Sequence, residues 1–99
     1  MKHFYVLCDA VEAGFLDSDV TATIRGYKAG QEEYVRGAAD SIREENGRKY
    51  LYIGVVRQDL TTKAWLVQLP TEADSGTQRM WVPEASVIQV QRSPTAVTP

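Results

Sequence analysis

Two apolar runs, separated by a polar turn, dominate the middle of the chain. The first run covers residues 50–56 and the second covers residues 64–69, with the polar residues 57–63 between them. Both runs are rich in β-branched and aromatic residues, which favour the pleated and half-buried surface of a strand. The pattern therefore predicts a long antiparallel hairpin at the centre of a β-sheet.

Shorter strand-like segments lie on both sides of this hairpin. Apolar and polar residues alternate cleanly over residues 20–26, which is the period of a half-buried strand. Similar patterns predict strands at residues 31–37, 78–82 and 87–91, and a tight turn or 3₁₀ step at residues 83–86. No long helix is expected.

The dipeptide Asn46-Gly47 leaves two alternatives open. Both residues tolerate positive φ, so the pair predicts a type I′ hairpin turn between strands at residues 41–45 and 48–52. A short helix over residues 38–45, ended by the same dipeptide as a C-cap, is the competing interpretation.

The two ends of the chain carry weaker signals. Residues 3–8 could form a first strand or an arm, and the acidic residues 9–19 indicate a loop that could hold one helical turn. Residues 92–99 contain two prolines and predict a disordered tail. We therefore expect an arm or extra strand at residues 1–19, one β-domain at residues 20–91 and a tail at residues 92–99.

The order of elements resembles the SH3-like small barrel. A strand at residues 20–26 is followed by a long excursion (residues 27–47) and by three meandering strands that end in W-V-P-x-x-x-V, formed by Trp81, Val82, Pro83 and Val87. In that fold a 3₁₀ turn near a proline links the fourth and fifth strands. The resemblance implies an all-β barrel of five to seven antiparallel strands with a 3₁₀ turn near Pro83. A proline-rich ligand is not implied, because the peptide-binding residues of signalling SH3 domains are not recognisable here.

The composition of the chain limits the partners that it can attract and indicates the compartment in which it lies. The 99 residues carry a net charge of -2 with a pI of about 5.3, so the whole molecule has no bulk attraction for nucleic acid or anionic membranes. No apolar run approaches the roughly 18 residues that span a bilayer. Cys8 is the only cysteine, which excludes an intrachain disulfide. These features predict a cytoplasmic protein without membrane contact.

The sequence contains no recognisable combination of catalytic, metal-binding or phosphate-binding residues. One histidine, His3, and one cysteine, Cys8, cannot supply a tetrahedral zinc site within a monomer. The adjacent pairs Glu32-Glu33 and Glu44-Glu45 point to opposite faces of a strand, so neither forms a carboxylate dyad. The Gly-rich patterns of phosphate-binding loops do not occur. We expect no catalytic residues, no metal and no cofactor, and a buried and inert thiol at Cys8.

Two surfaces are candidates for binding. Aromatic and basic residues interleave through the strands, as on the faces by which small barrels hold peptides or single-stranded nucleic acid. The candidate residues are Tyr50, Tyr52, Arg57, Trp65, Arg79 and Trp81. The alternative is that these rings only fill a core, with Trp65 continuing the apolar side of Val67 and Leu69.

The second candidate is the polar loop at residues 71–77, which carries Glu72, Asp74, Ser75 and Gly76.

These observations favour a non-catalytic binding or assembly module, which contacts a protein partner or another copy of itself. A nucleic-acid-binding small barrel, similar to tudor or ribosomal domains, is the first alternative, although the acidic pI disfavours it. The second alternative is an enzyme similar to the type II dihydrofolate reductases, which assemble one active pore from four chains. Their V-Q-I-Y stretch falls roughly where residues 78–81 lie here, with an inserted Arg79 and with Trp81 in place of tyrosine.

Overall fold

Antiparallel strands make up most of the structure, a computed structural model that describes residues 2–14, 16 and 18–91. This confirms the predicted all-β fold class. Among the described residues there are nine strands: β1 (Lys2–Leu7), β2 (Ala10–Ala13), β3 (Asp19–Arg25), β4 (Glu32–Ala38), β5 (Ile42–Glu45), β6 (Arg48–Gln58), β7 (Trp65–Gln68), β8 (Arg79–Val82) and β9 (Val87–Gln91).

Six of these strands form the larger sheet, in the order β8-β7-β6-β1-β9, with β5 also paired to β6. Strand β6 holds the sheet together because its first half pairs with β1 and β5 while its second half pairs with β7. The predicted central hairpin is confirmed as β6 and β7.

The N-terminal strand lies inside this sheet. Strand β1 pairs with β6 along one edge and with the last strand, β9, along the other. Of the two alternatives for the start of the chain, an arm or a strand, the structure shows the strand.

The loop predicted at residues 9–19 is wrong in part, because residues 10–13 form strand β2. The Asp9 amide donates to the Thr23 carbonyl over 2.7 Å, and β2 continues from there along the edge of β3. Val11 packs against the core, and this contact outweighs the acidic composition of the segment.

The smaller sheet has the order β2-β3-β4 and covers the inner side of the larger one. Ala22, Ile24 and Val35 point inward from it and are completely buried. They join one core cluster with Val6 and Leu51 of the larger sheet. The core therefore lies between the two sheets, and each sheet keeps one outward side.

The turns follow the local chemistry. Asn46 and Gly47 have φ of 53° and 79°, so the hairpin between β5 and β6 is confirmed and the competing helix is wrong. A 3₁₀ turn at Ala39–Ser41 leads into β5. A second 3₁₀ turn, Glu84–Ser86, follows Pro83 as the sequence predicted.

The loop between β6 and β7 is organised by one carboxylate. Asp59 Oδ1 accepts hydrogen bonds from the amides of Thr61 (2.7 Å) and Thr62 (2.9 Å), and these bonds lower the pKa of Asp59. The Lys63 amide then donates to the Asp59 carbonyl over 2.8 Å, with Lys63 at φ 66°. A non-glycine residue therefore occupies the left-handed region at this position.

The thiol of Cys8 lies in the core cluster with 8% of the residue exposed. Its hydrogen-bonding contact is the Val6 carbonyl, 3.8 Å from the sulfur. Burial raises the pKa of Cys8 to about 12, because the thiolate would lose its hydration there. The expected buried thiol is confirmed.

Two further points concern the predicted C-terminal tail and membrane-spanning helices. The tail predicted at residues 92–99 lies outside the described residues. The described part of the chain contains no helix that is long and apolar enough to cross a membrane.

We predict that Lys63→Gly stabilises the protein by about 0.5–1 kcal/mol, because glycine removes the left-handed strain at φ 66° and loses some of that gain to chain entropy. The matched change is Gly47→Ala, which introduces a side chain at φ 79° and is expected to cost about 1 kcal/mol. Urea unfolding measures both. A destabilised Lys63→Gly would contradict the described loop conformation.

We predict that Cys8 reacts with a disulfide reagent at pH 8 on the order of a thousandfold more slowly in the folded than in the unfolded chain, because folding suppresses its thiolate. The sign for stability follows from the raised pKa. The contribution of the neutral thiol is complete below its ordinary value of 9.0 and is lost as the pH rises towards about 12. Rapid labelling of the native protein at pH 8 would contradict this burial.

Candidate functional site

The outward side of the larger sheet follows from the alternation of its strands. Directly paired residues of antiparallel strands share a side, so each pairing passes the same orientation to the next strand. Tyr5 is paired with Tyr52 in β6 and with Ile88 in β9, and Leu66 is paired with Arg57 and Trp81. The side opposite to the core can therefore be traced across all six strands.

We name this surface the aromatic face. Its residues are His3, Tyr5 and Leu7 from β1; Arg43 and Glu45 from β5; Arg48, Tyr50, Tyr52, Gly54 and Arg57 from β6; Leu66 and Gln68 from β7; Arg79 and Trp81 from β8; and Ile88 and Val90 from β9. The core cluster and the apolar residues packed against it include none of them.

Three rings form the centre of the aromatic face. The ring of Tyr52 lies 5.5 Å from that of Tyr5 in an edge-on arrangement and 5.6 Å from that of His3. The guanidinium of Arg43 lies 5.9 Å from the Tyr5 ring. Tyr52 remains 43% exposed, whereas its neighbour Tyr50 is buried on the same side of the sheet. The three rings thus contact one another on the outward side of the sheet, and Tyr52 is their exposed member.

A second group of residues lies at the β6-β7-β8 end of the face. The guanidinium of Arg57 lies 5.2 Å from the centre of the Trp81 ring, within the range of a cation–π interaction. Arg79 Nε donates to Gln68 Oε1 over 2.7 Å, which fixes the side chain beside Trp81 along β8. This end therefore combines one broad ring with two positioned cations.

The charges of the aromatic face are unbalanced. It contains four arginines, one glutamate and no lysine or aspartate, as its residues show. The glutamate, Glu45, accepts from Arg43 over 3.1 Å. Enrichment in tyrosine, tryptophan and arginine with few lysines and carboxylates is the compositional signature of the core of a protein interface.

The smaller sheet provides an internal comparison. Its outward side carries Ala10, Glu12, Asp19, Thr21, Thr23, Arg25, Glu32, Tyr34, Arg36 and Ala38. Arg25 and Asp9 form an exposed ion pair of 2.9 Å, and the Tyr34 hydroxyl donates to Glu32 over 3.5 Å. Mainly polar outward residues are usual for a strand that faces water. The aromatic face differs, because its outward residues are mainly aromatic, aliphatic or arginine.

The structure brings together five of the six predicted binding residues. Tyr50, Tyr52, Arg57, Arg79 and Trp81 share the aromatic face, in two groups along β6. Trp65 points to the other side, where it packs against the core with its ring 6.5 Å from that of Phe4.

Sequence reasoning missed the contribution of the two terminal strands. His3 and Tyr5 extend the face from β1, and Ile88 and Val90 extend it from β9. The apolar run at residues 3–8 indicated a strand, but only the pairing of β1 with β6 shows which side faces outward.

The predicted loop at residues 71–77 lies against the smaller sheet. Ala73 is buried and forms an isolated bridge with Val35. The Ser75 hydroxyl donates to Glu33 over 2.6 Å, and the Asp74 amide donates to the Tyr34 carbonyl over 2.9 Å. These bonds fasten β4 to the connection between β7 and β8. Ligand binding by Glu72, Asp74, Ser75 and Gly76 stays a prediction.

In the part of the chain that the structure describes, no group of three or more histidine, cysteine, aspartate or glutamate residues could hold a metal ion.

The chain was compared with known proteins at three levels. The SH3-like resemblance and the resemblance to type II dihydrofolate reductases both stay predictions, since neither a protein-family model, nor a curated protein, nor a solved structure matches this chain.

Proposed function

We propose that this protein is a non-catalytic binding or assembly module whose aromatic face docks on another protein surface. One observation carries the proposal: two sheets of the same chain share one core, yet one outward side is polar and the other is aromatic and basic. Folding requires only the inward residues of each sheet to be apolar. The outward Tyr52, which is 43% exposed, and the half-buried Tyr5 and Trp81 therefore call for another explanation, and a docked partner supplies one.

The energetic argument agrees with this role. Tyrosine, tryptophan and arginine are enriched among the residues whose truncation costs an interface about 2 kcal/mol or more. Tyr52 lies near the middle of the face, with Tyr5 and His3 around it, which is the position where such residues concentrate. The partner is either a different protein or a second copy of the chain.

The proposal includes an SH3-like arrangement of the strands. It is supported by the long β6 shared between two groups of strands and by the 3₁₀ turn that precedes β9. A single buried cysteine without a disulfide supports a reducing, cytoplasmic setting.

We predict that Tyr52→Thr weakens the association at least about 30-fold, which corresponds to the roughly 2 kcal/mol lost at an interface hot spot. Threonine retains a high strand propensity, so the sheet is expected to persist. The matched control is Tyr34→Thr on the polar side, where the tyrosine is 46% exposed against 43% for Tyr52. Its association should stay within about twofold of the parent.

The measurement combines light scattering over a range of concentrations with affinity capture on the immobilised chain. Support consists of self-association or specific capture that Tyr52→Thr removes and Tyr34→Thr retains. A strict monomer that captures nothing, or capture that is insensitive to Tyr52, would contradict the proposal. Thermal unfolding of both variants checks that the fold is intact.

Nucleic-acid binding is a second candidate, favoured by the two guanidinium groups that lie over rings on one face. Bases could stack on such rings while arginines contact phosphates. Affinity for mixed RNA and DNA oligonucleotides, measured by fluorescence anisotropy at low salt, should then fall steeply as salt rises. Unchanged anisotropy at low salt would remove this candidate.

A further inference from the structure

The arginines of the aromatic face differ from those of the smaller sheet in their partners. Arg25 lies 2.9 Å from a carboxylate oxygen of Asp9, and Arg36 lies 3.8 Å from one of Asp74. By contrast, Arg48, Arg57 and Arg79 have no carboxylate within 4 Å among the residues that the structure describes. Among the described residues, the arginines without a carboxylate partner thus all lie on the aromatic face.

The charge balance of the chain points in the same direction. Four arginines against one glutamate leave the aromatic face with +3, so the remainder of the sequence carries -5 to reach the total of -2. Two copies that met face to face would place +3 against +3. Like charges brought together across an interface cost several kcal/mol. The face therefore fits a negatively charged partner better than a twofold contact with itself.

The β6-β7-β8 end is where this charge meets an apolar surface. Trp81 and Leu66 are directly paired and form the apolar part, with the Arg57 guanidinium over the Trp81 ring. Arg79 donates to Gln68 through Nε, which leaves its two terminal nitrogens as donors for a carboxylate. Arg57 thus lies over Trp81, and Arg79 lies beside Trp81 along β8.

We propose that this end of the aromatic face, formed by Arg57, Leu66, Arg79 and Trp81, binds an acidic segment of a partner protein. Carboxylates of the segment pair with Arg57 and Arg79, and an apolar side chain next to them packs on Trp81 and Leu66. This inference rests on the proposed docking function and specifies its partner.

The observations favour a peptide over a nucleic acid as the negative partner. The aromatic face continues into the aliphatic residues Leu66, Ile88 and Val90, which match aliphatic side chains rather than bases. It has no lysine, and the chain as a whole is negative, which opposes a long polyanion more than a short acidic segment.

The test is a selection of random twelve-residue peptides displayed against the immobilised full chain. Enriched peptides should place Asp or Glu next to an aliphatic or aromatic residue. A selected peptide should bind the double variant Arg57→Gln/Arg79→Gln at least about tenfold more weakly, because both charge-assisted contacts are lost. Its affinity should also fall as salt rises.

The matched control is Arg36→Gln, which removes an exposed arginine of the smaller sheet. It should change the affinity of the selected peptide by less than about twofold. Thermal unfolding of the variants separates lost binding from lost folding.

Each outcome decides the inference. Enriched neutral or basic peptides would overturn the acidic partner while the docking function stands. Oligonucleotides that bind through Arg57 without any acidic peptide enrichment would make a nucleic acid the occupant. Self-association that Arg57→Gln/Arg79→Gln abolishes would make a second copy the occupant. If no peptide is enriched and Tyr52→Thr changes no association, the inference and the proposed function fail together.

Discussion

Strand β6 is paired along both of its edges, and every other feature of the larger sheet depends on this arrangement. Its inward residues Leu51 and Ile53 lie in the core cluster, between β1 on one edge and β5 or β7 on the other. Because side chains alternate, the same strand must direct Tyr50 and Tyr52 outward. The aromatic face is thus positioned by the packing of the core, although its chemistry is not determined by it.

The position of the outward residues and their chemistry can be separated by comparing the two sheets. Strand β3 solves the same packing problem with Ala22 and Ile24 inward and threonines outward, so polar outward residues are compatible with this core. Contiguous exposed apolar surface beyond a few hundred square ångströms is uncommon on monomeric proteins and marks contact sites when it occurs. Within one chain, the smaller sheet carries mainly polar residues on its outward side, and the larger sheet carries aromatic residues and arginines there.

Local patterns predicted what depends on neighbouring residues. The central hairpin, the Asn46-Gly47 turn and the 3₁₀ turn after Pro83 each follow from residues within a few positions of one another, and the structure confirms them. The partners of β1 could not be found in this way, since β9 lies at the other end of the chain. Strand β2 was missed for a related reason: edge pairing and the contact of Val11 with the core override an acidic, glycine-containing composition. The candidate site was accordingly predicted for β6 and β8 and missed for the terminal strands.

Arg57 shows where periodicity alone gives the wrong side. Strict alternation from Leu51 and Ile53 through Val55 would direct Arg57 inward, where an unpaired guanidinium would be costly. The structure has an irregularity between Val55 and Arg57, so that Arg57 is paired with Leu66 and lies over the outward Trp81. A bulge of this kind shifts the alternation of the residues that follow it, so that Arg57 lies outward and Gln58 is paired with the inward Trp65. It leaves Val55 packed on the core and adds a cation to the aromatic face, so a single extra residue lets one strand keep its core packing and place Arg57 outward.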